Sequence, residues 1–325
     1  MRAKSIGAAM LLLFPCFAYS QVDINQTNAL AGGITPGDTA GFPVTLSVAG
    51  SYRLTSNLSV SGASFTTSTD MILVTADNVT IDLNGYSIIG KNSCAPPTPT
   101  TTVVCTTSIA SGHGSAIYSD SASNITIKNG NIQNMYGSGI WLANYSNYGY
   151  GYKIYGVSVT GSGYYGIAIG QGGELVENST ATMNLAQGFS VAGGRMTNVT
   201  ASLNGQEGLY AIQTTVNGAV AYYNYGCGIS LIRAVFNGGT ADTNVHAGGL
   251  CATDGSLVTN LLATNNSPFG ASIQDHSTII QSSAALGSAP GVTLSSNSCY
   301  KDITLSGNYL TGGQPLTGTN VLCNY

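Results

Sequence analysis

Gly188-Phe-Ser-Val191, Gly208-Leu-Tyr-Ala211, Gly228-Ile-Ser-Leu231 and Gly249-Leu-Cys-Ala252 are copies of one pattern, a glycine with apolar residues one and three places on. The pattern extends upstream to Gly139-Ile-Trp-Leu142 and Gly166-Ile-Ala-Ile169, and downstream to Gly270-Ala-Ser-Ile273 and Gly291-Val-Thr-Leu294. Successive glycines are 27, 22, 20, 20, 21, 21 and 21 residues apart. Apolar residues two apart share one face of a strand. A strand this short cannot bury that face alone, so the sequence predicts coils that stack and cover one another.

Other registers repeat with it. Asn178, Asn198, Asn217, Asn237 and Asn260 form one series, and Asn184, Asn204, Asn224, Asn244 and Asn265 a second. Asparagine tolerates the left-handed backbone of turns, and stacked asparagines can bond along a ladder. Small residues Ala181, Ala201, Ala221, Ala241 and Ala263 lie between the two series, where a thin coil would pinch. Earlier coils drift more: Ala116-Ile117 aligns with Gly139-Ile140, and Asn78-Val-Thr-Ile-Asp-Leu83 and Asn124-Ile-Thr-Ile127 read as alternating strands. The expected fold is all-β, a single right-handed parallel β-helix of about ten coils of 20–23 residues. Its inward column is Ile140, Ile167, Phe189, Leu209, Ile229 and Leu250.

The expected segments are a signal peptide at 1–20, an N-terminal segment and cap at 21–43, the β-helix at 44–310 and a tail at 311–325. Arg2 and Lys4 precede a short apolar run, Ile6 to Phe17, and Ala18-Tyr19-Ser20 offers small residues before a cut. No later stretch reaches the roughly 20 apolar residues of a membrane helix, so no membrane insertion is expected. The expected location is secreted or periplasmic. Removing Arg2 and Lys4 leaves seven basic residues against thirteen acidic ones, a formal charge of −6. That balance argues against nucleic acid, which demands basic patches. Only 7% of residues are charged, yet 43% are hydrophobic, which excludes disorder.

Six cysteines follow the signal, an even number that reads as disulfides in an exported chain. Cys94–Cys105 would close a Pro/Thr loop and Cys299–Cys323 would pin the tail. Cys227–Cys251 remains by elimination, against a three-residue offset worth about 10 Å of strand.

The Asn-Val-Thr-Ile-Asp-Leu-Asn-Gly run at 78–85 and the Gly-apolar repeats resemble right-handed parallel β-helix proteins of the pectate-lyase-like superfamily, over roughly residues 44 to 310. The resemblance implies an architecture and a range of roles, from polysaccharide lyases, hydrolases and epimerases to adhesins. Fold alone does not choose among them. Gly112-His-Gly114 is similar to a segment of polygalacturonase-like hydrolases, but their Asp-Asp pair has no counterpart here, and His113 reads as a loop residue.

Two groups of residues carry chemistry. Five residues after the anchors, a polar column ends in Arg233, Asp254 and Asp275. Stacked carboxylates can act as acid and base or hold a cation such as Ca²⁺, and an arginine can clamp a sugar carboxylate. No other cofactor is expected. The same column also reads as a plain solvent-facing turn. The second group is aromatic: Trp141, Tyr145 and Tyr148, with Tyr164 and Tyr165 one coil on. Aromatic faces stack on sugar rings, and Trp141 should point outward between Ile140 and Leu142. Two function classes follow, an extracellular lyase or hydrolase on acidic polysaccharide and a non-catalytic glycan-binding, adhesion or surface solenoid. The lack of a complete catalytic set favours the second, with a polysaccharide or glycan as partner.

Overall fold

The computed structural model describes residues 21–60, 66–98, 100–108, 113–142, 150–285, 291–294, 298–306 and 310–311. The expected signal peptide lies outside them. The described strands form a solenoid in which every pairing is parallel, apart from a small hairpin at 94–105.

Each full coil contributes a strand to three ladders. The anchor ladder joins Val44, Ile72, Ile117, Ile140, Ile167, Phe189, Leu209, Ile229, Leu250, Ala271 and Val292 rung by rung. All are fully buried. This is the inward column expected from the repeat, and each large apolar member contributes roughly 1.5–3 kcal/mol on burial. The second ladder begins upstream of residue 44, with Val22–Ile24 beside Gly50–Leu54. A six-residue helix, Gln26–Ala31, follows that first strand. Asn25 caps it by accepting from the Asn28 amide, while Asn28 accepts from the Asn25 amide. The third ladder carries Ala181, Ala201, Ala221, Ala241 and Ala263 in direct register, all fully buried, at the expected pinch.

The turn asparagines are placed differently from expectation. Between the second and third ladders the left-handed position is filled by Asn178, Asn198, Gly218, Gly238 and Asn260. Asn217 and Asn237 stand one residue earlier, because a glycine takes the positive φ at lower steric cost. The internal ladder runs Asn184, Asn204, Asn224, Asn244 and Asn266, each Nδ2 donating to the next Oδ1 at 2.9–3.0 Å. It ends on Asn266, because each member stands three residues after a pinch alanine and the last coil is longer. Asn265 instead takes the left-handed turn position, with φ 53°.

Cys94–Cys105 forms as expected. Cys227–Cys251 also forms, with Cα atoms 6.1 Å apart. The offset is absorbed because Cys227 lies in the turn before Ile229 rather than on the strand, so the chain folds back toward the next coil. The Cys299–Cys323 pairing lies outside the described residues at Cys323. The 94–105 hairpin runs along the solenoid axis. Cys94 lies beside the Gly161 carbonyl, Thr102 donates to the Gly205 carbonyl at 2.7 Å, and Pro97 and Thr98 line a hollow with Tyr223 and Val245.

Candidate functional site

Alternation along the anchor strands turns the middle residue outward. In successive coils these are Tyr118, Trp141, Ala168, Ser190, Tyr210 and Ser230. The first three form an apolar cluster separate from the core, joined by Leu73, Tyr164 and Tyr165. Trp141 points outward as expected, but it is not an open side chain. It is only 8% exposed, because Tyr118 and Ala168 flank it and two tyrosines stand over it. Its ring is stacked 6.1 Å from Tyr164 and 5.8 Å from Tyr165. Such pairs contribute about 0.5–1.5 kcal/mol each beyond area burial. Tyr145 and Tyr148 lie outside the described residues.

At the Tyr118 edge of this wall lies a pair that the sequence reading missed. His113 is in a loop, as expected, but its Nδ1 is 3.0 Å from Oδ2 of Asp70. Asp70 is buried, and its Oδ1 accepts from the Ser115 amide at 2.9 Å. Burial pushes the Asp70 carboxyl above the usual carboxylate range, partly offset by His113 and the neighbouring amides. The imidazole is half exposed and stacks on Tyr118, with ring centroids 4.5 Å apart. Burial also raises the Tyr118 phenol, reinforced by Asp120 and Asp70, so it stays protonated at neutral pH. Forty-three residues separate Asp70 from His113. No spacing rule connects them, because the coil between carries the 94–105 hairpin.

The charged column lies at the corner between the anchor and second ladders. Gln213, Arg233, Asp254 and Asp275 all have positive φ there, which makes them a turn column. Arg233 Nε and Asp254 Oδ2 are 4.0 Å apart, with both side chains more than half exposed. Asp275 has no ion pair among the described residues. No group of three or more His, Cys, Asp or Glu there is placed to hold a metal.

A second titratable group escaped the sequence reading. Glu174 is 2% exposed, and neither carboxyl oxygen makes a hydrogen bond. Its register places it in the inward column with Tyr152, Gly194 and Thr214. Burial pushes its pKa up to about 8, against the weaker pull of its own and Gly173's amides.

No protein-family model matches this chain, and no curated protein matches it in sequence. Among solved structures it is similar to the A-module of the Azotobacter vinelandii mannuronan C-5 epimerase AlgE6. That match has a TM-score of 0.57 and 18% identity, and covers 82% of this chain and 79% of the other. A double mutant of the periplasmic alginate epimerase AlgG matches with a TM-score of 0.55 and 13% identity, over 90% of this chain and 81% of that one. The fold is the right-handed parallel β-helix. At these identities the likeness is one of architecture. The β-helix gives each outward side chain a neighbour about 4.8 Å away on the next coil, which is how Tyr118, Trp141 and Ala168 become one surface.

Proposed function

We propose that this β-helix binds a polysaccharide along the outer face of its anchor sheet, with Tyr164 and Tyr165, backed by the Trp141 ring beneath them, as the stacking platform. The observation that carries the reading is the aromatic cluster itself. Later coils place Ser190, Ser230 and Ser272 at the same outward position, so stacking the coils does not require aromatics there. Both structural neighbours are named for action on polysaccharide, mannuronan in one case and alginate in the other. The two disulfides and the signal-like N-terminus support a secreted or periplasmic protein.

Trp141 is the sole tryptophan, so its emission reports the platform directly. Titrating acidic and neutral polysaccharides into the mature protein should shift that emission saturably for at least one class. Tyr165→Ala should weaken binding about tenfold or more while leaving the melting temperature within a few degrees, since Tyr165 is only half-buried. Unchanged affinity in that variant, or no ligand among the polymers, removes the reading.

A further inference from the structure

We propose that the Asp70–His113 pair makes the Tyr118 end of the platform a hydrolytic site for O-acyl esters carried on a neutral glycan. The inference rests on the glycan-binding reading and adds a reaction to it.

Asp70 is held by the Ser115 amide and turned toward Nδ1 of His113. With Asp70 ionised, Nδ1 donates and Nε2 is left as the basic atom of a half-exposed ring. A buried carboxylate that orients an imidazole is the positioning device that general-base catalysis requires. The ring stacks on Tyr118, which is continuous with the platform, so a glycan lying over Tyr164 and Tyr165 is brought to the imidazole.

The neighbouring groups narrow the chemistry. Glycosidic cleavage uses two carboxyl groups flanking the bond, and here Asp70 is already engaged in holding His113, which leaves Asp120 as a single carboxylate beside Tyr118. Proton abstraction beside a uronate builds negative charge that a cationic side chain must meet. The outward residues in register with Trp141 are Leu73, Tyr118, Ala168 and Ser190, none of them cationic. Arg53, Lys128, Lys153, Arg195 and Lys301 lie on second-ladder strands, Lys91 is exposed on the corner after the third-ladder strand Ser87–Ile89, beside Asn134, and Arg233 sits on a corner four coils beyond Trp141. Ester hydrolysis makes neither demand. Nε2 of His113 takes a proton from water as the water oxygen bonds to the ester carbonyl carbon. The bond from that carbon to the sugar oxygen then breaks, and the sugar oxygen leaves with the proton returned by the imidazolium. One water is consumed, and a carboxylic acid and a glycan hydroxyl are released. Tyr118 stacks on the imidazole with ring centroids 4.5 Å apart, and its phenol is the donor offered to the carbonyl oxygen as it gains charge.

The test incubates the mature protein with O-acetylated xylan and O-acetylated glucomannan and measures acetate released, while binding of the deacetylated polymers is followed separately by Trp141 emission. His113→Ala and His113→Gln should each lower acetate release about a hundredfold or more and leave polymer binding intact. Asp70→Asn, a change in the positioning residue, should lower kcat and alter its pH profile with KM nearly unchanged. Tyr165→Ala should raise KM. If neither acetylated polymer releases acetate, or if both His113 variants keep full activity, the ester reading is overturned. Retained polymer binding in that case leaves the platform standing, whereas loss of binding by the parent protein removes both.

Discussion

Glu174 and Gly194 are register partners on adjoining coils, and a side chain at Gly194 would set its Cβ 2.2 Å from the Glu174 carbonyl oxygen. Gly194 also has φ 103°, a backbone that other residues rarely adopt. The preceding Gly193 is the one that faces the carboxyl, its Cβ position 3.3 Å from Oε2 of Glu174, so the adjoining coil has no side chain to offer that carboxyl. Gly194→Ala should cost about 2 kcal/mol or more in thermal unfolding, against the small change expected at an open turn glycine.

The same enclosure sets a pH dependence. Glu174 has a folded-state pKa of about 8, above the usual carboxyl value of 4.5. The folded protein thus binds this proton more tightly than the unfolded chain. Its contribution to stability is complete below about pH 4.5 and is lost as pH rises toward about 8. Glu174→Gln should flatten the melting temperature across that window. It should also leave the variant more stable than the parent at pH 8, by about 2–4 kcal/mol. A parent whose stability is flat between those values contradicts the enclosure.

The asparagine ladder makes a separate prediction. Asn224 accepts from the Asn204 side chain and amide, and donates to Asn244 and to the Ala201 carbonyl. Asn224→Leu should destabilise by about 3 kcal/mol or more, since the buried Asn204 donors lose their acceptor and the Asn244 and Ala201 oxygens lose their donor. Asn217→Ser, one coil corner away, should change stability by less than about 0.5 kcal/mol. Chemical denaturation of the two variants checks the contrast.

Arg233 and Asp254 invite the opposite expectation. Their contact is 4.0 Å and well exposed, so Asp254→Asn should change stability by less than about 1 kcal/mol. It should also leave binding at the Trp141 platform untouched. A variant that loses cation binding or activity would instead mark this corner as an acidic site.

The fold was legible because one repeat decides it. Ile167, Phe189 and Leu209 are spaced 22 and 20 residues apart, and parallel stacking turns that spacing directly into register. Asn217 and Asn237 stand one residue off the turn because asparagine and glycine compete for the same backbone, and Asn265 stands one residue off the ladder because its coil is longer; side-chain identity alone does not say which residue turns. Trp141's outward direction followed from alternation. Its cover by Tyr164 and Tyr165 did not, since that depends on how a corner folds over the strand. Asp70–His113 was invisible for another reason. Ile72 and Ile117 are neighbours in space but 45 residues apart, so local spacing carries no trace of what lies across that gap.

A solenoid in which each coil touches only the next behaves as a linear chain of coupled units, and such chains fray from their ends one unit at a time. The hairpin closed by Cys94 and Cys105 breaks that rule. It is covalently part of an early coil, yet it hydrogen-bonds at Gly205 and reaches the level of Val245. Coils that share no ladder contact are thereby linked through a second, parallel connection. Peeling from the C-terminal end should proceed freely only until it reaches the coils that the hairpin touches. From there, loss of one coil also strips the hairpin from its neighbours, so this stretch should open as a block. Hydrogen exchange resolved by segment would show that block as a shared opening rate across residues 161 to 245, and reducing the disulfide should split it into a gradient.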